Sequence, residues 1–363
     1  MSWKKTIGIY IGTRTLPPGY GTGRGIYYFS IDGKGKLQSS VQLVAEAKGP
    51  IVNPSYLCIN AAKNALYAVN ETAPGYIVAY AIEQNHQLTF LNREATGLDS
   101  PVHLLFDNLG KTLFMANYGD GSTNSTSGLT VMPIQHNHKV TPYEQLISFS
   151  STTTVSHTHG LAKTTIQGIE YIFATDLGAN YIYAYKFDSF NSTPLQLFAK
   201  TQGSSGQGPR HMAISKDGAY LYVANEFDPA YKLASSVSIY RFDPSSGLTY
   251  LSSFPACNTQ VQNYAGEIAL CGRYLYVSNR GADNISQFQI TNGGQNLKFM
   301  GQFSHPDCQF PRHFAITKSG KFLVAAYQKS NNVMIFKIGI KGALTPVSGP
   351  IDIETPTVVA LLE

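Results

Sequence analysis

Only 13% of the 363 residues are charged, so the side chains able to do chemistry are few. Four of the nine histidines, His103, His159, His211 and His313, stand just after the start of a recurring apolar segment. Arg210 and Arg312 immediately precede two of them, and Glu267 takes the histidine's place in another copy. A second recurring segment ends on Arg14, Glu71, Glu226 or Arg280. An imidazole or a carboxylate can take a proton from water, and a guanidinium fork matches carboxylate, phosphate or a developing oxyanion. Together these residue types offer proton transfer beside a bound anion.

Residues so far apart in sequence meet only if the fold repeats. A short apolar strand ending in a small polar pair occurs seven times: Ile9–Arg14, Leu66–Glu71, Leu113–Tyr118, Ile172–Leu177, Leu221–Glu226, Leu275–Arg280 and Leu323–Gln328. About a dozen residues before most copies lies a Pro-x-x-apolar element, at Pro54, Pro101, Pro209 and Pro311, with His157 and Ala265 in the same place in two copies. Two more alternating segments follow each copy, as in Val237–Asp243 and the run from Leu248. Four short strands per unit, repeated about every fifty residues, predict an all-β, seven-bladed β-propeller with four-stranded blades in a single domain over 1–363. The first unit lacks its Pro-x-x strand, and Thr355-Pro356-Thr357-Val358-Val359-Ala360 supplies it. The C-terminal strand is therefore expected to complete the N-terminal blade, leaving no open edge.

In such a ring the start of each first strand and the end of each second strand share one face. Two residues after the proline position stand Tyr56, His103, His159, His211, Glu267, His313 and Val358. One residue after it stand Ser55, Val102, Thr158, Arg210, Gly266, Arg312 and Thr357. The second strands end on Arg14, Glu71, Tyr118, Leu177, Glu226, Arg280 and Gln328. A repeat needs no charge at these positions to fold, so the enrichment marks a ligand mouth. The prolines suit the first residue of a strand, and Asn70, Asn117, Asn225 and Asn279 read as turn-formers. Four imidazoles on a sevenfold ring are too dispersed, and too short of carboxylate partners, for a metal centre; neither metal nor other cofactor is expected.

Composition narrows the partners. The net charge of +5 comes from scattered residues, which argues against nucleic acid and against an anionic membrane surface. No apolar stretch approaches a membrane span. Cys58, Cys257, Cys271 and Cys308 show no CxxC spacing and read as thiols of a reducing compartment, so a cytoplasmic location is expected. Oligomeric state leaves no trace in the sequence.

The chain resembles the lactonase-type seven-bladed propellers, which include propeller 6-phosphogluconolactonases and the fungal carboxy-cis,cis-muconate cyclase. The likeness runs the length of the chain. It is carried by Asn53-Pro54-Ser55-Tyr56-Leu57, Ala116-Asn117-Tyr118-Gly119-Asp120-Gly121, His157-Thr158-His159, Gly208-Pro209-Arg210-His211, Asn225-Glu226, Ser278-Asn279-Arg280-Gly281 and Pro311-Arg312-His313-Phe314. The resemblance implies a small anionic lactone as partner and lactone hydrolysis as activity, 6-phosphogluconolactone being the leading substrate. It implies His159, Arg210, Glu226 and Arg280 as the reacting group, with either His159 or Glu226 as base. Arg14, His103, His157, His211, Glu267, Arg312 and His313 are the expected substrate-binding residues. A cyclase-like lyase and a non-catalytic binding propeller are the alternatives. Arg14 departs from the tyrosine more usual at its place and is expected to add positive charge to the rim.

Overall fold

The computed structural model describes residues 6–16, 21–60, 62, 64–119, 127–149, 154–203, 207–226, 235–259 and 261–363. Asp120 and Gly121 of the Ala116–Gly121 motif lie outside the described residues. Twenty-eight strands, numbered β1–β28 along the chain, form seven antiparallel four-stranded sheets. The innermost pair of each blade positions the site. These pairs are β28 (Pro356–Leu362) with β1 (Ile7–Thr13), β4 (Leu57–Asn60) with β5 (Ala65–Asn70), and β8 (Pro101–Phe106) with β9 (Thr112–Asn117). They continue as β12 (Thr158–Ile166) with β13 (Ile169–Asp176), β16 (Pro209–Ile214) with β17 (Tyr220–Asn225), β20 (Tyr264–Cys271) with β21 (Tyr274–Arg280), and β24 (Pro311–Ile316) with β25 (Phe322–Tyr327).

The ring closes as the repeat arithmetic requires. β28 pairs with β1 from Gly8↔Leu362 to Gly12↔Val358, and the Thr355 hydroxyl donates to the Arg14 carbonyl at 2.7 Å. Instead of a single core the molecule has seven, one between each pair of neighbouring blades. Ile9, Ile11 and Phe29 of the first blade pack on Val324 and Ile335 of the seventh, for example, and Tyr222 and Ala224 of the fifth on Leu275 and Val277 of the sixth. The second strands are apolar along nearly their whole length because both of their faces are covered.

Tyrosines at the second position of the repeat bind the blades together. The hydroxyls of Tyr10, Tyr67, Tyr222 and Tyr276 donate to carbonyls of His86, His138, Gly294 and Gly342, each in an outer turn of the following blade, at 2.6–3.0 Å. A large apolar body with one polar tip can be buried only when that tip finds a partner.

The asparagines are not turn-formers. Asn117, Asn225 and Asn279 are buried strand ends, and their amides donate across to the third strand, to Thr130, Ser236 and Ser238, and Asn284 and Ser286. Only a short polar side chain can satisfy buried hydroxyls and amides there while leaving the strand extended.

Candidate functional site

The inner strands bulge at the mouth. Register slips between Pro101 and His103, Thr158 and Leu161, Pro209 and His211, Ala265 and Ile268, and Pro311 and His313. The residue before the proline is left-handed at Asn53 (φ 45°), Ser100 (52°), Gly208 (59°), Phe310 (63°) and Thr355 (41°). A bulge takes a residue out of the ladder and re-aims its side chain, which is how Arg210 and Arg312 come to face the channel.

This geometry corrects the assignment in the fourth blade. Leu161 pairs with Ala174 as Met212 pairs with Val223. Gly160, not His159, therefore occupies the place of His211, and His159 takes the bulge place held elsewhere by Arg210 and Arg312. Gly160 suits it, because a Cβ there would lie 2.2 Å from the Arg210 carbonyl oxygen and 3.0 Å from the His211 Cα. Three histidines, not four, share one repeat position; the fourth stands one layer nearer the mouth.

The mouth is a cavity of about 160 Å³ lined by Arg14, Glu71, Val102, Tyr118, His159, Arg210, Glu226, Arg280 and Arg312. Glu226 Oε2 forms ion pairs with Arg210 Nε at 3.1 Å and Arg280 Nη2 at 2.7 Å. Backbone carbonyls fix the rest of these forks: Arg210 Nη1 donates to Gly266 at 2.9 Å, Arg280 Nε to Tyr264 at 3.2 Å and Nη2 to Ala265 at 3.1 Å. Arg14 pairs with Glu71, so its charge is neutralised at the rim and it adds no free cation there. Among the described residues, Arg312 alone of the four arginines has no ion-pair partner.

Burial would raise the Glu226 carboxyl, but Arg280 and Arg210 outweigh it and hold the group below the usual carboxylate range. Burial, reinforced by Arg210 and His211, holds His159 well below the ordinary histidine value, so its ring is neutral at pH 7. Burial and Arg280 bring Arg210 down to about 9, still charged at neutrality.

Below the mouth lies a second layer made of the remaining expected residues. Tyr56 packs on His103 with ring centres 4.1 Å apart, and His211 lies 5.0 Å from His103 and 4.9 Å from His159. Glu267 Oε2 receives His211 Nδ1 at 2.9 Å and lies 3.1 Å from His313 Nε2. His103, His211, Glu267 and His313 thus meet one another beneath the cavity and not on its wall. His157 stands beside it: the ring stacks on Tyr118 at 4.0 Å, and Nδ1 lies 2.9 Å from the Tyr118 carbonyl oxygen. Glu71, Tyr118 and Val102 stand on the wall too; their repeat positions put them on this face, and none of them is among the expected reacting or substrate-binding residues.

A larger groove of about 550 Å³ opens at the far end of the fifth and sixth blades, lined by turns that include Lys216, Asp217 and Arg273. Asp217 there is tied to the Ser215 hydroxyl at 2.5 Å. The concentration of ionic chemistry is at the small mouth.

Comparison with known proteins agrees with the ring. The model of a family described as lactonase, 7-bladed beta-propeller, matches residues 8–361. A 6-phosphogluconolactonase of Bacillus subtilis is 28% identical, with 97% of each chain covered. One from Formosa agariphila is 30% identical over 87% of this chain and 88% of its own. The solved structure of the periplasmic gluconolactonase of Pseudomonas aeruginosa has the same fold, with a TM-score of 0.85 at 24% identity and 99% of each chain covered. With a family match over nearly its whole length and relatives that it spans almost end to end, the chain belongs to the lactonase family of seven-bladed β-propellers.

Proposed function

We propose that this protein hydrolyses a sugar-acid lactone that carries an anionic tail, 6-phosphogluconolactone foremost. The observation that carries the reading is a buried, neutral imidazole, His159, on the wall of a cavity where four guanidiniums face only two carboxylates. The names borne by the bacterial relatives point to the same substrate. The four cysteines are free thiols, as a reducing, cytoplasmic setting would leave them, and that setting suits a step of the pentose phosphate pathway.

His159 takes a proton from water as the oxygen adds to the lactone carbonyl. The negative charge that forms on the carbonyl oxygen is met by Arg210 and Arg280, whose forks are already oriented by Glu226 and by backbone carbonyls. When the tetrahedral intermediate collapses, the ring C–O bond breaks and His159 returns its proton to the departing alkoxide. Glu226 is a poor base, since two guanidiniums stabilise its ionised form. Its part is to hold the forks, and Arg312 is left to take the substrate's phosphate.

The test is turnover of freshly made 6-phosphogluconolactone at mildly acidic pH, with gluconolactone and a muconate-derived lactone alongside. The expected result is fast opening of the phosphorylated lactone, reduced ~10²–10⁴-fold in a folded His159→Gln variant. Turnover of the muconate lactone alone would replace this reading with a cyclase-like one. No acceleration of any lactone would refute it.

A further inference from the structure

The layer beneath the mouth has its own hydrogen-bond logic. Glu267 accepts two N–H groups, His211 Nδ1 at 2.9 Å and the Ile268 amide at 3.1 Å, and His313 Nε2 lies 3.1 Å from its Oε2. The proton of His313 must be on Nε2, because its Nδ1 accepts the Val359 amide at 3.3 Å. These N–H groups, all directed at its oxygens, favour the carboxylate form. Burial is the larger effect and leaves the Glu267 carboxyl above its ordinary value, with His313 and Arg210 pulling against it.

With its Nδ1–H given to Glu267, neutral His211 keeps a bare lone pair on Nε2. That atom is buried and unpaired, and so is Nδ1 of His159 in the layer above. The two rings are 4.9 Å apart between centres, with planes at 62°. The two nitrogens make no hydrogen bond as placed, but at that separation a small turn of either ring brings them within reach of one. Two buried, complementary nitrogens at this range are costly apart and satisfied together.

We propose that Glu267, His211 and His159 form a relay along the channel axis, in which Glu267 fixes the His211 tautomer and His211 in turn orients His159. The Nδ1–H of His159 donates to Nε2 of His211, leaving Nε2 of His159 as the base that faces the cavity. Glu267 and His211 are positioning residues that never meet the substrate. When His159 accepts the proton of water, its imidazolium is held by the His211 lone pair, with the Glu267 charge behind it. The proton stays on His159 until the alkoxide takes it back.

The relay rests on the hydrolytic reading for its catalytic meaning, but its geometry is testable without turnover. The groups facing His211 are Arg210 on its own strand, Arg280, Arg312, His103, His159, Tyr56 and Glu267, with His313 on the far side of Glu267. Three cations above and one anion below make the sign of the effect definite. Removing the anion disfavours protonated His159.

Histidine ring ¹⁵N spectra of the ligand-free parent should show His211 as the Nδ1–H tautomer. In Glu267→Gln that preference should be lost, and His159 should titrate at lower pH than in the parent. In the lactone assay the acid limb of the kcat/KM profile should move the same way, with kcat reduced ~10²-fold and KM changed less than ~3-fold. His211→Gln should reproduce the fall in kcat while Glu267 remains ionised. A parent His211 protonated on Nε2 would overturn the relay. So would a His159 titration unmoved by Glu267→Gln, whether or not any lactone is turned over. If Glu267→Gln unfolds, the parent tautomer and the His211→Gln profile decide the matter. A parent that opens no lactone yet shows the expected tautomer and shift would sink the hydrolytic reading and leave the relay standing.

Discussion

Replacing Arg312 by alanine isolates the recognition of the anion from the chemistry. The lining of the mouth carries four guanidiniums and two carboxylates, a net charge of +2. Arg14 is matched by Glu71, and Arg210 and Arg280 share Glu226, so among the described residues of the lining Arg312 is the one cation with no carboxylate to leave when a substrate arrives. Burial and Arg280 lower it to about 10, so it is charged throughout the neutral range. A unit charge about 4 Å from a phosphate oxygen is worth ~4 kcal/mol at an effective dielectric of ~20, before the cost of stripping water from both groups. Charged hydrogen bonds retain ~1.5–3 kcal/mol net. Taking about 2–3 kcal/mol, Arg312→Ala should lower kcat/KM for the phosphorylated lactone ~30–150-fold, mostly through KM. Neutral gluconolactone should lose less than ~3-fold, since its loss of a cation is uncompensated only in the long-range field. The assay is the ratio of the two kcat/KM values in parent and variant. An unchanged ratio would refute the assignment of Arg312 to the anion, and a collapse of both rates together would place it in the reaction step instead.

Two further outcomes follow from burial. His313 is held down to about 4, burial outweighing the pull of Glu267, whereas the unfolded chain takes up its proton near 6.5. The unfolded state therefore binds more protons between those values, and stability falls as pH drops from 6.5 towards 4, by about 3 kcal/mol for this residue alone. His103, His159 and His211 shift in the same direction. Urea unfolding at pH 7.5 and pH 5 should show a clearly lower midpoint at pH 5, and equal midpoints would contradict buried neutral rings. Gly160→Ala sets a Cβ against the Arg210 carbonyl oxygen, 2.2 Å away, with the His211 Cα at 3.0 Å. Overpacking against backbone should cost about 1–3 kcal/mol and displace Arg210. A variant with the parent's melting temperature and kcat would show that the approach of β12 to β16 is looser than described.

The ring was legible because its logic is periodic. Seven copies of one strand, and an orphan strand at the end, left a single way to close it. The corner holding His159, Arg210, Glu226 and Arg280 was legible for the same reason, since repeat positions translate directly into places on one face. What periodicity could not show was the bulge. Counting along His157-Thr158-His159 placed His159 level with His211, one residue from its true layer, because the fourth blade has no proline to mark where the ladder breaks. The depth of each side chain depends on that break. The misread asparagines have a similar cause. Turn propensity is a local property, but Asn225 and Asn279 answer to hydroxyls and amides on the third strand, which no local window contains. The neutralisation of Arg14 likewise needed Glu71, a residue of the next blade.

The bulges carry a consequence for how such a mouth can change. The residue each one ejects, Val102, His159, Arg210, Gly266, Arg312 or Thr357, has left the strand ladder and stands outside the inter-blade cores. Its identity is thereby uncoupled from the packing that keeps the ring shut. The scaffold works as a dial with several settings around one axis, Gly266 excepted, where a Cβ would lie 2.7 Å from the Ser278 hydroxyl and 3.0 Å from the Arg312 carbonyl oxygen. Recoding the mouth from phosphate to carboxylate, or from acid to neutral sugar, becomes a matter of resetting two or three positions, while the tyrosine staples and the closing strand go on holding the dial.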